Sequence, residues 1–134
     1  MQIKKLYELA EENNIKVEGF PLKETQAVTI QIGDKNFVAI DTSVLCSPSQ
    51  EKVCLAHELG HCQTGAFYNE YSALDERSRH EKKAERWAIE RLVPLKALQE
   101  VIKNGCDDLQ LLCDHFGVPS EFMCKALIHY QKQQ

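Results

Sequence analysis

The sequence predicts an α+β fold, in which a small antiparallel β-sheet packs against helices. Three observations carry that expectation. Hydrophobic alternation of period two is concentrated in residues 27–41. Helix caps and helical spacing dominate from Ser47 onward, and no repeat, low-complexity tract or linker divides the 134 residues. Residues 1–100 are read as the core and residues 101–134 as a helical extension packed on it, in one compact unit.

The elements follow in order. Ile3, Leu6, Tyr7, Leu9 and Ala10 recur at helical spacing until Asn13-Asn14. Val28, Ile30 and Ile32 then alternate with Thr29 and Gln31. Gly33 to Asn36 form a turn, and Phe37 to Ile40 resume the strand, which is a hairpin signature. Lys16-Val17-Glu18 is a candidate third strand. Ser47 is suited to cap a helix, Pro48 to occupy its first position and Gln50 to be the reciprocal cap. That helix is expected to reach about Thr64, with Gly65 as its stop. Ser78 is read as the start of a second long helix reaching Val93, before Pro94. Shorter helices are expected at Leu95 to Lys103, Asp108 to Phe116 and Glu121 to Gln131, the first two closed by Asn104-Gly105 and Gly117.

Composition removes several function classes. The formal net charge is −4, with 43% hydrophobic and 27% charged residues, ordinary values for a globular chain. No apolar run approaches the ~18–20 residues that span a bilayer. The acid excess argues against nucleic-acid binding through bulk charge. The first residues read as a charged amphipathic helix rather than an export signal, so a cytoplasmic location is expected. Six cysteines are present but no CxxC pair, which fits reduced thiols better than a disulfide or zinc-ribbon framework.

The chemistry lies inside the helix after Ser47, at His57-Glu58-Leu59-Gly60-His61. Residues four apart share a helix face, so His57 and His61 are placed to direct both imidazoles at one metal ion. Glu58 is turned about 100° from His57, beside that face. There it is placed to accept a proton from an attacking water without being a ligand. This is the HExxH arrangement of zinc peptidases. The flanking Val53-Cys54-Leu55-Ala56 and Cys62 are small or apolar, so the helix should be buried, and buried histidines must be paired or coordinated.

One catalytic Zn²⁺ commonly takes three protein ligands and leaves a position for water. Asp75, Glu76, His80, Glu81 and Glu85 are the downstream candidates. Glu81, Ala84, Glu85, Ala88 and Leu92 share one helical stripe, while Arg79, Lys83, Arg86 and Glu90 occupy the solvated side. Carboxylates on a stripe with two alanines suggest close packing on another helix. Ser78-Arg79-His80-Glu81 is also a capping box, in which Glu81 would serve only the Ser78 N–H. Position alone leaves both readings open, with Glu85 the reserve ligand.

His57 to His61, followed by the segment from Glu81 through Ala84, Glu85, Trp87, Ala88 and Leu92 to Pro94, resembles the ImmA/IrrE family of metallopeptidases. The resemblance covers residues of about 25 to 100 and includes the wider gluzincin pattern. It implies a minimal zincin-like fold, Glu81 as third zinc ligand, and Glu85 as the group that orients His57 or His61. Glu85 departs from the family pattern, which usually has Asn or Asp there. The resemblance also implies an intracellular endopeptidase acting on one regulatory protein, often a helix-turn-helix repressor of a mobile element or stress regulon. For the oxyanion, Tyr68, Tyr71 and His80 are the available donors. By analogy with gluzincins, substrate would pair with a sheet edge at the strand Phe37 to Asp41.

Leu109, Leu112, Phe116, Val118, Met123 and Leu127 resemble the apolar skeleton of a helix-turn-helix. The second helix offers only Lys125 beside one acid, Glu121, so packing or partner docking is expected there rather than direct DNA contact. The rival function is a non-catalytic regulator or docking module that retains a structural zinc site.

Overall fold

A computed structural model describes the chain except for residues 24, 46, 66–72 and 134. The elements are α1 (Ile3–Glu12), β1 (Ile15–Gly19), β2 (Ala27–Ile32), β3 (Lys35–Ile40), α2 (Pro48–Thr64), α3 (Leu74–Leu92), α4 (Leu95–Lys103), α5 (Leu109–Phe116) and α6 (Ser120–Gln131). The fold is α+β, as expected.

Asn13 ends α1 by donating its side-chain amide to the Leu9 carbonyl at 2.8 Å, and Asn14 follows with φ of 58°. β2 and β3 form the expected antiparallel hairpin, with Ile32 paired to Lys35 around the Gly33-Asp34 turn. The sheet departs from a purely antiparallel one. β1 joins β3 in parallel, Ile15 opposite Asn36 through Gly19 opposite Ile40, and the strand order is β1-β3-β2. The reason is topological. The chain reverses once between β1 and β2 and again at the hairpin, so β3 returns in the direction of β1 and slots between its predecessors.

Local chemistry sets α2 as read. Ser47 Oγ accepts from the Gln50 N–H at 3.3 Å, Pro48 is the first residue, and Gly65 closes the helix at φ of 66°. Such a left-handed position favours glycine because a Cβ would be strained there. α3 differs from expectation. It starts at Leu74, behind Ala73, which makes no side-chain cap, so Ser78 lies within the helix. Asp75 and Glu76 fill the first turn, where acidic side chains complement the N-terminal dipole.

The core is continuous from α1 and the sheet through α2 to α6. Leu6, Val38, Ile40, Leu55, Leu59, Leu92 and Met123 are all essentially inaccessible to solvent. Two side chains tie the last helices down. Lys52 of α2 donates to the Phe116 carbonyl at the end of α5 at 2.6 Å, and the Tyr130 hydroxyl donates to the Val93 carbonyl at 2.6 Å. Burial pushes the Lys52 ammonium below its usual value. No helix among the described residues is long and apolar enough to cross a membrane.

Candidate metal centre

His57 and His61 lie one turn apart on α2, with ring centroids 5.0 Å apart and planes at 78°. Glu81 of α3 reaches both. Its Oε2 is 2.7 Å from His57 Nε2, and its Oε1 is 3.2 Å from His61 Nε2. One ligand atom from each residue falls within 4.8 Å of the others. Two imidazole nitrogens and a carboxylate oxygen are a donor set suited to a zinc-like ion, and the separations are those of a converged site. The residues therefore fit the group that the sequence implies.

The approach of the two helices depends on small residues. A Cβ on Gly60 would lie 2.5 Å from the Ala84 carbonyl oxygen and 3.0 Å from its Cα, so only glycine fits there. Ala84 and Ala88 are fully buried, and Leu92 continues the stripe, while Arg79, Lys83, Arg86 and Glu90 are exposed. Gly60 sits between the histidines and Ala84 lies one turn past Glu81. Their contact thus sets the height at which the carboxylate meets the imidazoles. With Ser78 inside α3, the capping-box reading of Glu81 is overturned.

Glu58 is buried beside the cluster. The Thr29 hydroxyl of β2 is 3.3 Å from Glu58 Oε2 and 3.3 Å from the Glu58 carbonyl oxygen. Burial is the largest influence on the Glu58 carboxyl and pushes it above the usual range. The charges of His57 and His61 and the Thr29 hydrogen bond oppose that rise, and the Glu81 charge adds to it.

The other sequence candidates are distributed differently. Glu85 borders the same cleft, but its carboxylate meets Lys125 of α6 at 3.1 Å. The expected role of orienting a ligand histidine gives way to an ion pair, because the glutamate side chain is long enough to reach across to the neighbouring helix. His80 lies 3.6 Å from Glu76 one turn earlier in α3 and is not among the described residues lining the cleft. Tyr68 and Tyr71 fall outside the described residues. Asp75 is exposed at the helix start.

Five cysteines are unbridged, and Cys46 lies outside the described residues. Cys62, next to His61, is pushed up to about 11, first by burial and then by the Glu58 charge, so it is a protonated thiol. Cys54 borders the cleft with its Sγ 3.0 Å from Gln26 Oε1.

The cleft has a volume of ≈ 810 Å³, and both β2 and α6 contribute to its lining. Sequence reasoning missed Thr29, Phe122 and Lys125 here. Thr29 is 29 positions from Glu58, and nothing in a period-two strand marks which threonine meets a carboxylate. Lys125 carried a weak signal as the lone cation of its helix. The expected pairing edge also moves. β3, which contains Phe37 to Ile40, is the central strand, and among the described residues the strand that both borders the cleft and has an unpaired edge is β2.

The model of the family described as the IrrE N-terminal-like domain, a peptidase family, matches residues 10–127. That span takes in α5 and most of α6 as well as the metal cluster. No curated protein and no solved structure matches significantly. The HExxH helix, the converged Glu81 and a family match over most of the chain agree: this protein belongs to the IrrE N-terminal-like metallopeptidase family.

Proposed function

We propose that the chain is a zinc-dependent endopeptidase of the cytoplasm that cuts one regulatory protein, a helix-turn-helix repressor of a mobile element or stress regulon. The observation that carries the catalytic part is the convergence of His57, His61 and Glu81 beside a buried Glu58 that is not itself in the donor cluster. Family membership supports the hydrolytic reading, and the sequence resemblance supports the class of target.

His57, His61 and Glu81 would hold the ion, which when bound would polarise the scissile carbonyl and acidify the attacking water. Glu58 takes the proton of that water and returns it to the leaving nitrogen. Burial pushes the Glu58 carboxyl above its usual range, which favours its taking up and giving back a proton. Thr29 holds the Glu58 carboxylate from the β2 side. The main chain of the substrate lies along the open edge of β2, where backbone hydrogen bonds align it over the catalytic groups.

The test pairs metal analysis with one variant. The purified chain is expected to carry about one zinc per molecule, by analogy with other three-ligand sites. Glu58→Gln should keep that metal while repressor cleavage falls by about 10²–10⁴-fold. Undiminished cleavage by Glu58→Gln would remove Glu58 from the mechanism. A folded, fully active chain without metal would remove the site itself.

A further inference from the structure

The free edge of β2 follows from its register. The Asp41 N–H donates to the Gln26 carbonyl at 2.8 Å. Antiparallel ladders alternate bonded and non-bonded pairs, so Val28–Ala39, Ile30–Phe37 and Ile32–Lys35 are the bonded pairs within the hairpin. The main-chain groups of Ala27, Thr29 and Gln31 therefore point away from β3. Thr25 Oγ1 donates to one of them, the Ala27 carbonyl, at 3.2 Å. Among the described residues no strand pairs along this edge.

The side chains alternate as well. Thr29 faces α2 and Glu58, which places Val28, Ile30 and Ile32 on the opposite face of the sheet. Ile30 is 48% exposed and Ile32 is 64% exposed, while Val28 and the cross-strand partner Phe37 are half-buried. Edge strands are ordinarily protected by charge, proline or a bulge. Here the three outward positions are Val, Ile and Ile. The same strand enters the cleft at Ala27, Val28 and Thr29, so open edge, apolar face and candidate metal site are continuous.

We propose that the outer face of the sheet, formed by Val28, Ile30, Ile32 and Phe37, is a recognition surface for the substrate segment that pairs with the β2 edge, and that it selects apolar side chains at every second residue. The inference rests on the peptidase reading, which supplies the occupant. A chain hydrogen-bonded beside Thr29 and Gln31 sends alternate side chains into the cleft and out beside Val28 and Ile30. Directly opposed side chains on one sheet face lie about 4.5–5.5 Å apart at Cβ. A β-branched or aromatic substrate residue there covers the isoleucines. The preferred substrate is therefore an extended segment patterned like a half-buried strand.

The experiment uses the full chain as the zinc-loaded Glu58→Gln variant, with a synthetic library of random unstructured peptides. Retained peptides should show Val, Ile, Phe or Tyr at alternate positions, and they should slow hydrogen exchange at the Thr29 and Gln31 amides. Ile30→Lys with Ile32→Lys should weaken retention about tenfold and erase the alternation. Ile30→Thr with Ile32→Thr keeps the β-branched shape and should act in the same direction, which separates recognition from loss of folding. Ile102→Lys on α4 should change nothing. Retention without alternation, alternation that survives both double variants, or no retained peptide would each overturn the proposal. So would a dimer that dissociates in the double variants, because the occupant would then be a second copy. The peptidase reading is judged separately, by hydrolysis of the retained peptides when Glu58 is intact.

Discussion

Thr29 and Asp41 show how single polar groups shape this site. Thr29 supplies a hydroxyl to a carboxylate that burial has raised. Hydrogen bonds to charged groups contribute about 1.5–3 kcal/mol. Thr29→Val is therefore expected to lower kcat about tenfold or more with metal content unchanged, and Thr29→Ser to recover most of it. Equal rates for the valine and threonine forms would show that Glu58 needs no support from β2. Asp41 accepts from the Leu22 N–H at 3.0 Å, the Ser43 N–H at 3.1 Å and the Ser43 hydroxyl at 2.5 Å. The Ser43 hydroxyl, then the Leu22 N–H, hold its carboxyl below the usual 3.8. A depressed folded-state value means that this stabilisation is complete above the unfolded value and is lost as pH falls through the folded one. Urea midpoints should thus favour the native chain over Asp41→Asn near neutral pH, and the gap should begin to narrow below pH of about 4 and close as pH falls through the lower folded-state value. The Thr29 and Leu22 contacts were not legible beforehand, because both meet partners far along the chain, whereas Ser43 lies two residues from Asp41.

At the scale of elements, α2 was readable nearly to the residue. Ser47, Pro48 and Gly65 act within one turn of themselves, and the structure uses all three as expected. The start of α3 was not readable. Ser78-x-x-Glu81 is a valid capping sequence, but Asp75 and Glu76 are equally valid first-turn residues, and the helix begins at Leu74, ahead of the Ala84 stretch that packs on α2. The stripe of Ala84, Ala88 and Leu92 signalled that packing, but not its tightest point at Gly60. Gly60→Ala gains up to about 1 kcal/mol of helix propensity, whereas a Cβ 2.5 Å from a backbone oxygen forces the helices apart. Overpacking costs about 1–3 kcal/mol, so a net loss of up to about 2 kcal/mol is expected in chemical denaturation. Metal affinity should fall about 10–100-fold as Glu81 withdraws, a range typical when support around a metal site is disturbed. Unchanged zinc affinity would show that the α2–α3 crossing does not govern the ligand geometry.

The whole molecule is organised around that crossing. α2 carries two donors, α3 carries the third, and β2 and α6 border the same cleft. A bound ion would cross-link α2 to α3 and stabilise the native state by mass action. Chelation should therefore lower Tm, and zinc should restore it. Ion at a hundred times its Kd corresponds to about 2.7 kcal/mol. The response should vanish in Glu81→Ala, and a chelation effect of equal size in that variant would place the ion elsewhere. The C-terminal helices belong to this arrangement. Phe122 and Met123 join the common core, Lys52 holds the end of α5, and Lys125 pairs with Glu85 at the cleft.

The α+β class, the hairpin, the helix after Ser47, and His57, Glu58 and His61 as one unit are all legible in residue order. Each depends on periodicity or on contacts within a turn or two, which residue order specifies directly. Tertiary structure alone decided the rest. It removed the helix-cap role from Glu81 and brought its carboxylate to His57 and His61, gave Glu85 to Lys125, set β1 parallel to β3, and placed β2 rather than β3 at the edge of the sheet. Those outcomes depend on which surfaces meet across long chain separations, through a Gly60–Ala84 contact whose closeness no local pattern encodes.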